Sequence, residues 1–171
     1  MNTAELLNIC KTDQYIKPVF EGVFPSDCLP KKLVYPAAYI ANTDPKIKPG
    51  THWIAMYFDH DGNGDYMDSY GRMPLPKFKS FLNKQCHDWQ YNNKQLQAPL
   101  TATCGQYCIY FLYQRSRGMP LQKILNSFGN DGFKNDEMVT NFVNKTFGTK
   151  TNVIDVEFIV NQVCKALNEI K

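Results

Sequence analysis

The chain has 171 residues, 43% of them hydrophobic and 20% charged, with a formal net charge of +3 at pH 7. That length suits one domain burying about two-thirds of its unfolded surface without a covalent staple, and the 10 Tyr and 11 Phe argue for a real core and against disorder. Lys and Arg are scattered, so the charge reads as a mildly basic surface; nucleic acid stays open as a partner with no basic cluster to carry it.

The first predicted element is a short helix over Thr3 to Lys11, with Leu6, Leu7 and Cys10 on one side. This segment carries Glu5 and no long apolar run, so no secretory leader is expected. A proline-rich stretch from Lys17 to Pro36 reads as extended loop. The run from Leu33 to Asn42 reads as a strand with an edge or bulge at Pro36. His52 to Phe58 has strand composition, the glycines Gly62 and Gly64 mark a turn, and Tyr66 to Tyr70 returns as the partner strand. Leu75 to Lys84 is predicted helical, with Pro76 near its start and Phe78, Phe81 and Leu82 at helical spacing. His87 to Gln97 reads as a further strand.

The run Tyr107 to Tyr113 is apolar on every side. Arg115 and Arg117 in a last turn, Gly118 as a cap and Pro120 as a stop identify it as a helix, and an all-apolar helix is a buried one. Helical patterns follow over Leu121 to Phe128, Asp136 to Phe147, and Val156 to Ile170, the last capped by Asp155. The expected fold is α+β: a small, mostly antiparallel sheet packed on a central buried helix, with flanking helices. The expectation is one domain over residues 1–171, with the helices from residue 120 packed on the core.

Cys10, Cys28, Cys86, Cys104, Cys108 and Cys164 are spread along the chain with no CxxC pair. With no run near the ~18 apolar residues that span a membrane, this predicts reduced thiols in an intracellular setting. No metal is expected. Cys86 and His87 alone do not make a zinc site. Asp59, Asp61, Asn63 and Gly64 begin like a calcium loop, but the position for its final bidentate Glu is Tyr70, and hairpin-turn chemistry explains the same residues.

Cys104 is the residue that points to chemistry. It stands at the first turn of the buried helix, where backbone N–H groups favour a thiolate, and Gly105 after it permits close approach of another chain segment. A nucleophilic thiol needs an imidazole within reach. His52, in a strand, is better held than His60 in the turn or His87 beside a polar segment. A carboxylate must then orient the imidazole. Asp68 on the partner strand can reach His52 if register permits, while Asp65 lies nearer the turn and is expected to be solvated. Gln97, seven residues before Cys104, is a candidate oxyanion donor whose amide could pair with the Cys104 backbone N–H, with Gln95 as a nearby substitute.

The order His-Trp (52–53), Asp68 before Ser-Tyr-Gly, then Gln97 and Cys104-Gly105 resembles the adenovirus endopeptidases, the adenain family, and more broadly the clan that includes the SUMO-specific proteases. The segments GTHWIAMYFD, YMDSYG and LQAPLTATCGQYCIYFL carry it, with VFPSDCLPKKL also similar, over roughly residues 5–118. The resemblance implies a Cys-His-Asp endopeptidase with Cys104, His52, Asp68 and Gln97 as nucleophile, base, orienter and oxyanion donor. Asp68 departs from the Glu usual in the adenovirus branch; either carboxylate can orient an imidazole. It further implies a viral or Maverick/Polinton-type source, cleavage of capsid precursors near small residues such as Gly, and packaging in the virion. No cofactor is implied for the chemistry. Cys86 corresponds to the cysteine that in adenovirus enzymes forms a disulfide with an activating peptide. The same scaffold also hosts ubiquitin- or SUMO-like isopeptidases and acetyl-transferring enzymes, and an inactive binding module would lack the intact residue set.

Overall fold

The computed structural model describes residues 1–149. Five strands form one sheet in chain order: β1 (Phe20–Pro25), β2 (Ala37–Asn42), β3 (Trp53–Phe58), β4 (Asn63–Met67) and β5 (Asp88–Tyr91). The helices are α1 (Thr3–Thr12), α2 (Pro76–Gln85), α3 (Cys104–Arg115), α4 (Leu121–Asn126) and α5 (Gly132–Phe147). The α+β class and the buried central helix are as expected. The sheet is mixed rather than mostly antiparallel. Its inner pairings, β2 with β3 and β3 with β4, are antiparallel, while β1–β2 and β4–β5 are parallel. Both parallel pairs are joined by long crossovers, and α2 lies within the second; parallel neighbours require such connections.

β1 lies inside the stretch expected to be loop. Its composition hides it: Gly22 and Pro25 are poor strand residues, tolerated here because β1 is the outer strand among the described residues. β2 begins only after Pro36, so the proline precedes the strand instead of bulging it. The helix capped by Asp155 lies outside the described residues.

Both faces of the sheet are covered, which is why β2 reads as a continuous apolar run. Ala38, Ile40, Ala55, Tyr57 and Met67 face a core shared with Leu6 and Ile9 of α1, the apolar residues of α3, Leu121 and Ile124 of α4, and Val139 and Val143 of α5. Ala37, Tyr39, Ala41, Ile54, Met56 and Phe58 face a second core with Phe78, Phe81 and Leu82 of α2. α3 is buried from Cys104 through Leu112, packed between sheet and helices. Truncating a fully buried ring there, such as Phe111, costs about 3–5 kcal/mol. This burial fixes the position of the start of α3.

Candidate active site

β3 begins at Trp53, so His52 is the residue entering the strand; β4 ends at Met67, so Asp68 is the residue leaving its neighbour. Asp68 thus lies one residue beyond the strand on which it was expected. In the antiparallel pair Ala55 faces Met67, which brings the entering and leaving ends together. His52 Nε2 and Asp68 Oδ1 are 2.7 Å apart, and both side chains are buried. The remaining ring nitrogen, Nδ1, is left for the thiol of Cys104, which hydrogen-bonds His52. Three residues distant in sequence therefore meet because two strand ends and one helix start converge.

The electrostatics of the pair are opposed by burial and set by contact. Burial disfavours a charged imidazole, but the hydrogen bonds to Asp68 and Cys104 outweigh it and raise the His52 pKa to about 9. Burial likewise disfavours a thiolate at Cys104, yet His52 and the backbone N–H of Trp53 bring its pKa below the ordinary thiol value. Each partner thus favours the charged form of the other, which biases the pair toward thiolate and imidazolium. The N–H groups of residues 104–106 precede the first helical bond, from Tyr107 N to Thr103 O, and they face the start of the helix. Thr103, at the N-cap, makes no side-chain cap; its hydroxyl donates instead to Asp136 at 2.9 Å. α3 thereby forgoes about 1 kcal/mol of capping and keeps its N-terminal donors clear of a cap. The close neighbour of Gly105 is this chain's own N-terminal segment: a Cβ there would lie 2.9 Å from Met1 Cβ and 3.5 Å from Leu6 Cδ2.

Asp68 is held from several sides. Asn92, fully buried, accepts from Asp68 N at 2.8 Å and donates to Asp68 O at 2.5 Å. Tyr70 N donates to Asp68 Oδ1 at 2.9 Å. The turn closes through Gly71 N to Asp68 O at 2.7 Å; Gly71 has φ 66°, and a side chain there would run into the Lys94 backbone. The Tyr70 ring lies over His52 at 5.0 Å between centroids, with the Arg72 guanidinium 4.9 Å from the Tyr70 ring centre. Asp65 is buried, not solvated: it pairs with Arg115 at 2.5 Å and accepts from Gln90 at 2.8 Å, away from His52.

Gln97 is buried, and its amide is engaged at both ends. Oε1 accepts from Ser69 at 2.6 Å, and Nε2 donates to Thr101 O at 2.6 Å and Thr101 Oγ1 at 3.1 Å. The Thr101 carbonyl can only accept, so it fixes which end of the amide is nitrogen. The expected pairing with the Cys104 backbone N–H is therefore not made; the amide instead joins the residue after Asp68 to the loop before Cys104. Gln95 donates to Gln97 O at 2.9 Å.

Cys86 is half-buried at the end of α2, just before β5 at the sheet edge among the described residues. A Cβ on Gly64 would come within 2.6 Å of its Sγ. Burial, followed by Asp59, Asp65 and Asp88, pushes its pKa up to about 12. In the hairpin turn, Asp59 Oδ1 accepts from Asp61 N and Asn63 N at 3.0 and 2.8 Å, the turn chemistry expected of this segment. Among the described residues no helix is long and apolar enough to cross a membrane.

Linear reading missed Asn92, Ser69, Thr101, Thr103 and Asp136. Each acts through backbone or hydroxyl contacts that carry no spacing signal, and Asp136 lies 32 residues beyond Cys104.

No family model matches the chain. It is similar to a thiol protease of Acanthamoeba polyphaga mimivirus, 26% identical over 155 residues, covering 74% of this chain and 51% of that protein. It is also similar to a protease of bovine adenovirus 4, 25% identical over 89 residues, covering 43% of this chain and 44% of that protein. The chain spans about half the length of these viral relatives. Among solved structures, a crystal structure of an ASFV protease superposes with a TM-score of 0.47 at 20% identity, covering 61% of this chain and 42% of that one. The central domain of an uncharacterized Legionella pneumophila protein gives 0.48 at 12% identity, covering 85% and 94%.

Proposed function

We propose that this chain is a cysteine endopeptidase of viral type, with Cys104 as nucleophile, His52 as base and acid, and Asp68 as the carboxylate that orients His52. The observation that carries the reading is the buried array in which Asp68 holds one His52 nitrogen at 2.7 Å while the ring hydrogen-bonds a Cys104 thiol of lowered pKa. The similarity to viral thiol proteases supports it.

In this mechanism the Cys104 thiolate attacks the substrate carbonyl carbon, and the carbonyl π electrons move to oxygen. The N-terminal N–H groups of α3 stabilise that oxyanion. Gln97 adds a donor by turning one N–H from the Thr101 carbonyl to the oxyanion, its other N–H staying on Thr101 Oγ1. His52 gives its proton to the leaving amine, the C–N bond breaks, and a thioester remains. Water, deprotonated by His52, then attacks the thioester and releases the Cys104 thiolate and the acid. Asp68 keeps the ring oriented throughout and stabilises the imidazolium.

The substrates are proteins, and the class put forward is viral capsid precursors cleaved near small residues such as Gly. An activating peptide strand would pair on the β5 edge, with Cys86 before it as the thiol for a mixed disulfide. The raised pKa of Cys86 makes that exchange slow near neutral pH. The test is labelling by a cysteine-directed peptide electrophile, together with cleavage of capsid-precursor peptides against ubiquitin-like fusions. Labelling and capsid-peptide cleavage that disappear in Cys104→Ala are expected. Preferential cleavage of the fusions would instead make the chain an isopeptidase, and retention of cleavage by the variant would overturn the nucleophile.

A further inference from the structure

The buried carboxylate of Asp136 has no part in the chemistry described above, yet it accepts four hydrogen bonds beside it. It lies on α5 and is 0% exposed. Its Oδ2 accepts from Thr101 Oγ1 at 2.8 Å and Ala98 N at 3.3 Å; its Oδ1 accepts from Thr103 Oγ1 at 2.9 Å and Tyr107 OH at 2.8 Å. All four donors belong to the loop between Gln97 and Cys104 or to the first turn of α3. The next residue back, Asn135, donates to Leu96 O at 3.0 Å, at the other end of the same loop.

A hydroxyl has one proton, and the direction it points decides what it can accept. An ionised carboxylate draws the Thr101 proton toward itself, away from the competing Ala98 carbonyl at 3.0 Å. Thr101 Oγ1 then turns a lone pair to Gln97 Nε2, so the amide is oriented by a chain that runs Gln97 to Thr101 to Asp136. At Thr103 the same carboxylate does the opposite service: it draws the N-cap hydroxyl off the helix, where it would otherwise bond an N–H of the first turn.

We propose that Asp136 is a positioning residue for the oxyanion side of the site, fixing Thr101 so that it orients Gln97 and withholding Thr103 from the N-terminal N–H groups of α3. The assignment rests on the cysteine-peptidase reading of Cys104 and His52, and it makes a claim that a purely structural buried carboxylate would not. Its effect belongs to turnover and reaches the oxyanion through Gln97 and through the α3 N–H groups that Thr103 leaves free, while the His52 contact that lowers the Cys104 pKa is untouched.

The experiment is a double-mutant cycle with two readouts: kcat and KM on a cleaved peptide, and the rate of Cys104 alkylation by iodoacetamide. Thr101→Val keeps the shape and removes the hydroxyl. It is expected to lower kcat roughly tenfold, to leave KM within about threefold and alkylation unchanged, and to be rescued by Thr101→Ser. In a Gln97→Ala background the Thr101→Val loss should vanish. Asp136→Asn offers a single acceptor oxygen to four donors and should also lower kcat without slowing alkylation. Because that buried substitution can cost the fold, Thr101→Val carries the test by itself. An equal loss in both backgrounds, or alkylation falling in step with kcat, overturns the assignment while leaving the peptidase reading intact. A wild-type chain that turns over no peptide and matches Cys104→Ala overturns both.

Discussion

Cys104, buried, and Cys86, half-buried, are two thiols at opposite kinds of helix end. Cys104 opens α3, receives the Trp53 N–H and touches His52, and its pKa falls. Cys86 closes α2, where carbonyls gather, and has Asp59, Asp65 and Asp88 around it; its pKa rises to about 12. Both lose water, so burial is not what distinguishes them. The difference lies in which charged groups replace the water, the His52 imidazole at Cys104 and three carboxylates at Cys86.

The largest effect should come from breaking the Cys104 side of this contrast. His52→Ala removes the partner that lowers the thiol pKa and the acid for the leaving group. Turnover should fall by about as much as in Cys104→Ala, at least ~10⁴-fold, because the two act as a unit. Steady-state cleavage at neutral pH measures it; unchanged turnover, with His60→Ala or His87→Ala inactive instead, would relocate the site.

Asp68→Asn should cost about 10³–10⁴ in kcat and move the alkaline limb of the pH–rate profile. In the wild type the imidazolium is lost as pH rises through about 9, so activity declines there; without the carboxylate that decline comes at lower pH. The same shift acts on stability. The His52 pKa is raised above its unfolded value of ~6.5, so its contribution is complete below that pH and lost as pH rises through about 9. Thermal melts across that range, with and without His52→Ala, check the sign.

Gln97→Ala sharpens the comparison without touching either thiol. Turnover should fall roughly 10²–10³-fold while Cys104 still alkylates at the wild-type rate. A loss below about threefold would assign the donor to another group.

The smallest effect belongs to Cys86→Ser, which should leave basal turnover within about twofold. A cysteine-bearing activating peptide should still stimulate this variant through the β5 edge, without the mixed disulfide. Loss of all stimulation in Cys86→Ser would make the disulfide essential to activation.

What the sequence made legible was whatever is written in periodicity or in a chemical residue type. α3 was visible because its apolar run ends in Arg115, Arg117 and Gly118, and β3 because Trp53 to Phe58 has strand composition. His52, Asp68 and Cys104 were visible as chemistry ordered along the chain. β1 was hidden by Gly22 and Pro25, and the direction of the outer strands depends on crossovers that composition does not encode. Asp65 looked solvated because its partner, Arg115, lies 50 residues away. Asn92, Thr101 and Asp136 were illegible for a related reason: a buried polar residue is defined by what it bonds, and its partners are set only by packing, of the Asp68 turn for Asn92 and of α5 behind the loop before Cys104 for the other two.

The contrast between the two thiols is tested most directly by following iodoacetamide incorporation at each cysteine by mass spectrometry as a function of pH. Cys104 should be labelled first and already at pH 6, Cys86 should lag at every pH below about 9, and His52→Ala should slow Cys104 at pH 6 to the rate of an ordinary thiol. Cys104 labelling no faster than Cys86 at pH 6, or at the same rate with and without His52, would contradict the account.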